Sequence, residues 1–100
     1  MQDDLSSAED ISSAKILVTG RVQGVYFRRF TVDNAQKLGL TGFARNLPDG
    51  RVEVFAEGKV ASIHKLIDFL HIGPALANVE DVNVEWSEPA GEYTDFSIKR

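Results

Sequence analysis

The order of hydrophobic periods along this chain predicts an α+β sandwich, β-α-β-β-α-β, with an antiparallel sheet of four to five strands and two helices on one face. Three observations carry that prediction. Two apolar stripes recur at helical spacing, each followed by a glycine; two alternating runs flank Pro48-Asp49-Gly50; and short strand-like runs precede the first stripe and follow the second. Two β-α-β halves joined through a hairpin form the split, ferredoxin-like arrangement, for which the expected strand order is 4-1-3-2. One hundred residues, 43% of them apolar, suffice for one domain with its own core.

Residues 1–13 are rich in Ser and Asp, and Leu5 and Ile11 are too isolated to form a buried face, so this stretch reads as a flexible acidic tail ahead of a domain spanning 14–100. Order is expected from about Lys15. Ile16-Leu17-Val18-Thr19, ended by Gly20, is a short β-branched strand. The first helix follows from Phe27, Phe30, Asn34/Ala35 and Leu38, with Gly39 where a C-terminal cap belongs. The hairpin comprises Gly42 to Leu47 and Arg51 to Glu57; Pro48 presets φ, Asp49 bonds its own backbone and Gly50 accepts a positive φ. Val60, Ile63, Leu66, Ile67 and Leu70 form the second helical stripe, stopped by Gly73-Pro74. Val82, Val84 and Trp86 alternate with Asn83 and Glu85 as a fourth strand, and Phe96 and Ile98 mark a short last strand or strand end. Trp86 and Phe55 read as core or sheet-face packing.

The net charge of −4 conceals an uneven distribution. Residues 1–14 hold four acids and no base, and residues 52–100 carry a net −5. Between them, residues 20–51 carry six bases (Arg21, Arg28, Arg29, Lys37, Arg45, Arg51) against Asp33 and Asp49. A negatively charged ligand is expected in that basic middle. The absence of cysteine removes disulfides, thiolate metal sites and a Cys nucleophile, and fits a reducing compartment. No apolar run approaches the roughly 18 residues of a membrane span, and no secretory or transit signal is apparent. The expectation is a cytoplasmic domain with no membrane partner.

Two places could hold chemistry. In the first, Gly20 to Arg28 links a strand to a helix N-terminus, where backbone N–H groups can converge on an anion and the helix adds partial positive charge. Arg28 or Arg29 would add a planar fork for phosphate or carboxylate oxygens, and periodicity does not choose between them. The competing reading is an ordinary turn with surface arginines. In the second, Asn46 ends the hairpin's first strand; it either caps the turn or holds a water against a ligand. His64 and His71 lie seven residues apart on the second helix, about 10.5 Å along its axis, too far to share a metal. No metal or cofactor is expected.

Gly20-Arg21-Val22-Gln23-Gly24-Val25-Tyr26-Phe27-Arg28 resembles the G-x-V-Q-G-V-x-F-R signature of the acylphosphatases, and Gly42 to Gly58 resembles their second signature. The likeness runs from about Lys15 to Arg100 and includes the Gly73-Pro74 helix stop. Leu47 stands where some members carry a hydroxyl residue. The resemblance implies hydrolysis of acyl phosphates to carboxylate and inorganic phosphate on a ferredoxin-like fold. It assigns phosphate binding to the backbone amides of Val22, Gln23, Gly24, Val25, Tyr26 and Phe27 together with Arg28, and positioning of the attacking water to Asn46. A small-molecule acyl phosphate is then the partner, with no nucleic acid, and the enzyme is expected to be monomeric.

A non-catalytic module is the rival class. An RNA-binding sheet of this topology needs an aromatic RNP1 strand; Thr41-Gly42-Phe43-Ala44 imitates its opening, but Arg45-Asn46-Leu47 breaks it. A domain that senses acyl phosphate or carbamoyl phosphate with the same loop is the subtler rival.

Overall fold

A computed structural model of the chain describes residues 10–100. The elements are β1 (Ile11–Arg21), α1 (Phe27–Lys37), β2 (Thr41–Asn46), β3 (Val52–Lys59), α2 (Val60–Ile72), β4 (Asn78–Ser87) and β5 (Phe96–Lys99). They form a five-stranded sheet in the order β4-β1-β3-β2-β5, so the expected 4-1-3-2 core is present with one strand added beyond β2.

Strand register sorts the two faces. Ala14, Ile16 and Val18 on β1 stand opposite Ala56, Val54 and Val52 on β3, and all six are buried beneath the helices. Phe27, Val32 and Ala35 from α1 and Ile63, Leu66 and Leu70 from α2 close over them as one core, joined by Phe96 from β5. Each large side chain buried this way contributes about 1.5–3 kcal/mol. The helical stripes seen in the sequence are therefore the faces that meet the sheet, and Gly73 ends α2 where the pattern stops. Residues directly opposite in an antiparallel pair share a face; Asn46 pairs with Val52 and so lies on the helix side, in line with Ala44.

Three sequence expectations change. Residues 11–13 are strand rather than tail: Ile11, Ser12 and Ser13 pair with Lys59, Gly58 and Glu57. Ser13 is fully buried, its hydroxyl 2.8 Å from Ser87 Oγ and 2.9 Å from the Glu88 carbonyl. Polar residues extend a strand when neighbours on both sides satisfy their backbone and hydroxyl groups, and no apolar stripe advertises this. The remainder of the expected tail, residues 1–9, lies outside the described residues. The sheet is also not wholly antiparallel, because β5 runs parallel to β2, with Gly42 opposite Phe96 and Ala44 opposite Ile98. Geometry requires it: the chain leaves β4 at one edge, crosses the open face through residues 88–95, and enters β5 at the far edge. That crossing is fixed by Tyr93, whose ring lies 5.6 Å from Phe43 and 5.7 Å from Phe55, and by the Gly91 N–H, which donates to the buried Glu57 carboxylate at 3.0 Å. Phe55 thus packs on the open sheet face; Trp86, opposite Ala14, lies on the helix-side face with its ring beside His64, so of its two readings sheet-face packing holds and burial in the core does not.

One irregularity aims the chain at the site. The β1–β4 register shifts between Thr19 and Gly20, which pair with Asp81 and Val79, so Glu80 is an extra residue opposite the step. At Gly20 the strands come so close that a Cβ would sit 2.2 Å from the Asn78 carbonyl oxygen. The sequence reading of Gly20 as a strand terminator is thus a bulge one residue before β1 ends.

Candidate active site

Everything the sequence marked for chemistry lies at one end of the sheet, where β1 and β2 finish and α1 begins. The connection from Arg21 to Phe27 is short and pinned from below: Val22, Val25 and Phe27 are buried, while Gly24 and Tyr26 between them are exposed. Gly24 has φ +74° and Tyr26 φ +73°, so two left-handed residues bracket Val25. Alternation of right- and left-handed residues curls successive peptide groups into an anion-binding concavity. Among the described residues, no backbone carbonyl accepts from the amides of Gln23 to Arg29, and the first helical bond runs from Phe30 N–H to Tyr26 O at 3.1 Å.

The start of α1 opposes the rules that stabilise helix termini. Its N-cap, Tyr26, makes no side-chain cap, and the first turn holds no acid. It holds Arg28 and Arg29 instead, at the end where the helix dipole is positive; each such charge costs roughly 0.3–1 kcal/mol unless an anion is present. Free amides, the helix dipole and uncapped positive charge concentrated at one turn suit a bound anion.

The two arginines differ in their partners. Arg29 Nε donates to Asp33 Oδ1 at 3.1 Å, an i,i+4 ion pair on the helix surface. Arg45 is likewise paired with Glu53, and Arg51 with Asp49. Arg28 has no carboxylate partner among the described residues. Of the six bases in the basic middle, it is therefore the one that both lines the depression at this end and keeps its charge uncompensated.

That depression holds about 360 Å³ and is lined by Val22, Gly24, Tyr26, Phe27, Arg28, Arg29, Asn46 and Ile98. It brings together the loop, Arg28 and Asn46, which are as much as 24 positions apart in the chain. Among the described residues the buried Asn46 Oδ1 has no hydrogen-bond partner, although Asn46 itself is paired with Val52 across the ladder. Asn46 does not cap the turn. Leu47 N–H donates to Arg51 O at 2.8 Å and Gly50 N–H to Leu47 O at 3.1 Å, while Asp49 Oδ1 accepts from Arg51 N–H at 3.0 Å. Hydrogen bonds from the Arg51 side chain and backbone hold the Asp49 carboxyl below the ordinary value of 3.8. Asp49 is thus occupied in the turn, as its place in Pro-Asp-Gly suggested.

No carboxylate or imidazole lines the depression, and no group of three or more His, Cys, Asp or Glu side chains that could hold a metal occurs among the described residues. His64 sits on α2 with its ring 5.1 Å from Trp86, outside the depression's lining. Two contributors were not legible in the sequence. Ile98 reaches the depression only because β5 joins the sheet beside β2. The Gln23 side chain, expected only to supply its backbone amide, donates from Nε2 to Leu47 O at 2.7 Å and to Arg51 O at 2.9 Å.

The acylphosphatase family model matches residues 14–98, from the fourth residue of β1 to the third of β5. The chain belongs to the acylphosphatase family. An acylphosphatase of Methanococcoides burtonii is 55% identical over 96 residues, covering 96% of this chain and all of that protein. Among solved structures, the acylphosphatase from Bacillus subtilis superposes with a TM-score of 0.86 at 36% identity, over 89% of this chain and 99% of that one. The acylphosphatase from Coxiella burnetii superposes at 0.84 with 38% identity, over 90% and 94%. This acylphosphatase hydrolyses acyl phosphates, and the ferredoxin-like fold expected from the periodicity is the family's fold. No helix of the described residues is long and apolar enough to cross a membrane.

Proposed function

We propose that hydrolysis proceeds by direct in-line attack of water on a phosphoryl group held by the loop amides of residues 22–28 and by Arg28, with the water positioned by Asn46. The observation that carries this reading is the buried, unpartnered Asn46 Oδ1 in the same depression as the unpaired Arg28. An unpaired buried acceptor costs about 1–3 kcal/mol, a cost withdrawn when a water donates to it.

The chemistry suits this small set of groups. An acyl phosphate is a mixed anhydride whose carboxylate leaves readily, so the enzyme needs to clamp, align and stabilise charge rather than form a covalent intermediate. The amides and the Arg28 guanidinium hold the phosphoryl oxygens and meet the charge that grows on them. The water donates one hydrogen to Asn46 Oδ1, which turns a lone pair toward phosphorus. As the new P–O bond forms, the P–O bond to the acyl group breaks and its electron pair leaves on the carboxylate. An amide does not take up a proton near neutrality, so the water's proton passes to a phosphoryl oxygen of the substrate. The lining residues support that route, since none of them is a carboxylate or imidazole.

The proposed enzyme acts as a monomer in the cytoplasm on a small-molecule acyl phosphate, without metal, nucleic acid or membrane. The lack of cysteine fits that compartment. The RNA-binding alternative is disfavoured by Phe43, which is 8% exposed and covered by Tyr93 rather than free to stack on a base. Benzoyl phosphate hydrolysis, with and without a chelator, tests the assignment. Turnover is expected to be unaffected by chelation, and Arg28→Ala and Asn46→Ala should each lose on the order of 10²–10³ in rate. Full activity in either variant would refute its role, and phosphate binding without turnover by the wild type would favour the sensing module.

A further inference from the structure

We infer that the Gln23 side chain is a positioning residue that locks the phosphate loop in register with the strand end carrying Asn46. The inference rests on the roles proposed above for the loop and Asn46. Its Nε2 donates both hydrogens, to Leu47 O at 2.7 Å and to Arg51 O at 2.9 Å, residues 24 and 28 positions away. Those two carbonyls are the ones the hairpin already uses: Leu47 O accepts from Gly50 N–H and Arg51 O from Leu47 N–H. Gln23 fills the second lone pair of each.

The position of these carbonyls gives the contact its consequence. Leu47 directly follows Asn46, and Arg51 directly precedes Val52, the residue paired with Asn46 across the ladder. The clamp therefore grips both strands one peptide away from the Asn46 pair. On the loop side, Gln23 sits between the buried Val22 and Gly24, whose surroundings are open enough that an added Cβ would meet nothing within 4 Å. Among the described residues it is the loop's only hydrogen-bonded link to the β2–β3 turn.

Glutamine suits the task because it offers two donors from one neutral, planar group. Glutamate of the same shape offers none and would face two carbonyls with a charge. In-line attack needs the phosphorus, held by the loop, and the water, held by Asn46, aligned to within a fraction of an ångström; a 1 Å misplacement costs about 10²-fold in rate. Loop and strand end belong to different elements, and Gln23 ties one to the other. Binding of the phosphoryl group depends on the loop and Arg28 and not on Asn46, so loss of the clamp should lower kcat more than it weakens phosphate binding.

The test is a double-mutant cycle with benzoyl phosphate as substrate and inorganic phosphate as competitive inhibitor. Gln23→Met keeps the side chain's length and removes its donors. Its kcat should fall by about 10- to 100-fold, with the inhibition constant for phosphate changed less than about threefold. Because Gln23 acts through Asn46, adding Gln23→Met to Asn46→Ala should cost little beyond the Asn46→Ala loss. A purely structural role would instead make the two losses multiply, and that result overturns the inference, as does a phosphate constant that rises in step with the fall in kcat. An unchanged kcat in Gln23→Met overturns it as well. Full activity in Asn46→Ala alone would remove the reading of Asn46 itself and the inference with it, so the two failures are told apart by the single variants. Should Gln23→Met not fold, Gln23→Asn, shorter by one methylene, carries the same cycle with a smaller loss and the same criterion.

Discussion

Tyr26 is the one non-glycine residue with positive φ among the described residues, and it stands at the helix start that the phosphoryl group is proposed to meet. Replacing it with Gly and, separately, with Ala isolates the strain held there. The ring is 71% exposed, so both changes forfeit little burial, and Tyr26→Ala should remain within about 0.5 kcal/mol of the wild type. An L-residue in the left-handed region costs about 1–2 kcal/mol, which Ala keeps and Gly removes. Gly repays about 0.5–1 kcal/mol of that through the greater freedom of its unfolded chain. The glycine variant should therefore be more stable than the alanine variant by about 0.5–1 kcal/mol, which for a domain of this size raises the melting temperature by about 3–6 °C. Thermal unfolding followed by circular dichroism measures the difference directly. The same substitution frees the loop, so Tyr26→Gly should bind inorganic phosphate more weakly than Tyr26→Ala. A glycine variant that melts at or below the alanine variant would refute the strain argument.

Two further predictions concern the elements that support the site. Gly20→Ala places a Cβ 2.2 Å from a backbone oxygen in a left-handed conformation, so the bulge must break; the loss should be about 3 kcal/mol or more, seen as a fall in melting temperature of at least about 12 °C. Asp49, whose carboxyl Arg51 holds below the ordinary 3.8, contributes stability that is present above that unfolded-state value and lost as pH falls through the lower folded-state value. Asp49→Asn should accordingly melt below the wild type near neutral pH, with the gap closing on acidification below 3.8. A gap that persists in acid would mean the carboxylate's charge is not its source.

The parts of the fold that announce themselves in the sequence are those that bury an apolar face. The α2 stripe ends at Gly73 as its spacing implies, and the alternation on β3 and β4 identifies the face turned to the helices. Ile11 to Ser13 carried no such signal, because that strand extension is held by backbone pairing and a buried serine hydroxyl. The direction of β5 was equally hidden: Phe96 and Ile98 look alike in a parallel or an antiparallel strand, and the crossing of residues 88–95 decides which it is. At the site, spacing could not separate Arg28 from Arg29, since both occupy the first turn of α1. Asp33, one helical turn beyond Arg29, draws the distinction in space. The motif named Gln23 for its backbone, but the reach of its side chain to residues 24 and 28 positions away is a tertiary fact that no local pattern contains.

The bulge at Thr19/Gly20 has a second consequence, for the protein's behaviour in company. β4 is a ten-residue strand at the sheet's edge, with Val79, Val82, Val84 and Trp86 along it, and a straight edge of that kind is a template for a strand from another molecule. The extra residue in the bulge is Glu80, followed by Asp81, with Glu85 farther along. The break in register interrupts the row of free backbone groups, and the carboxylates place like charges where a second copy's β4 would lie. Glu80, Asp81 and Glu85 thus guard the edge on which self-association would begin, and the step that steers the chain into the connection before α1 also spoils that edge as a template.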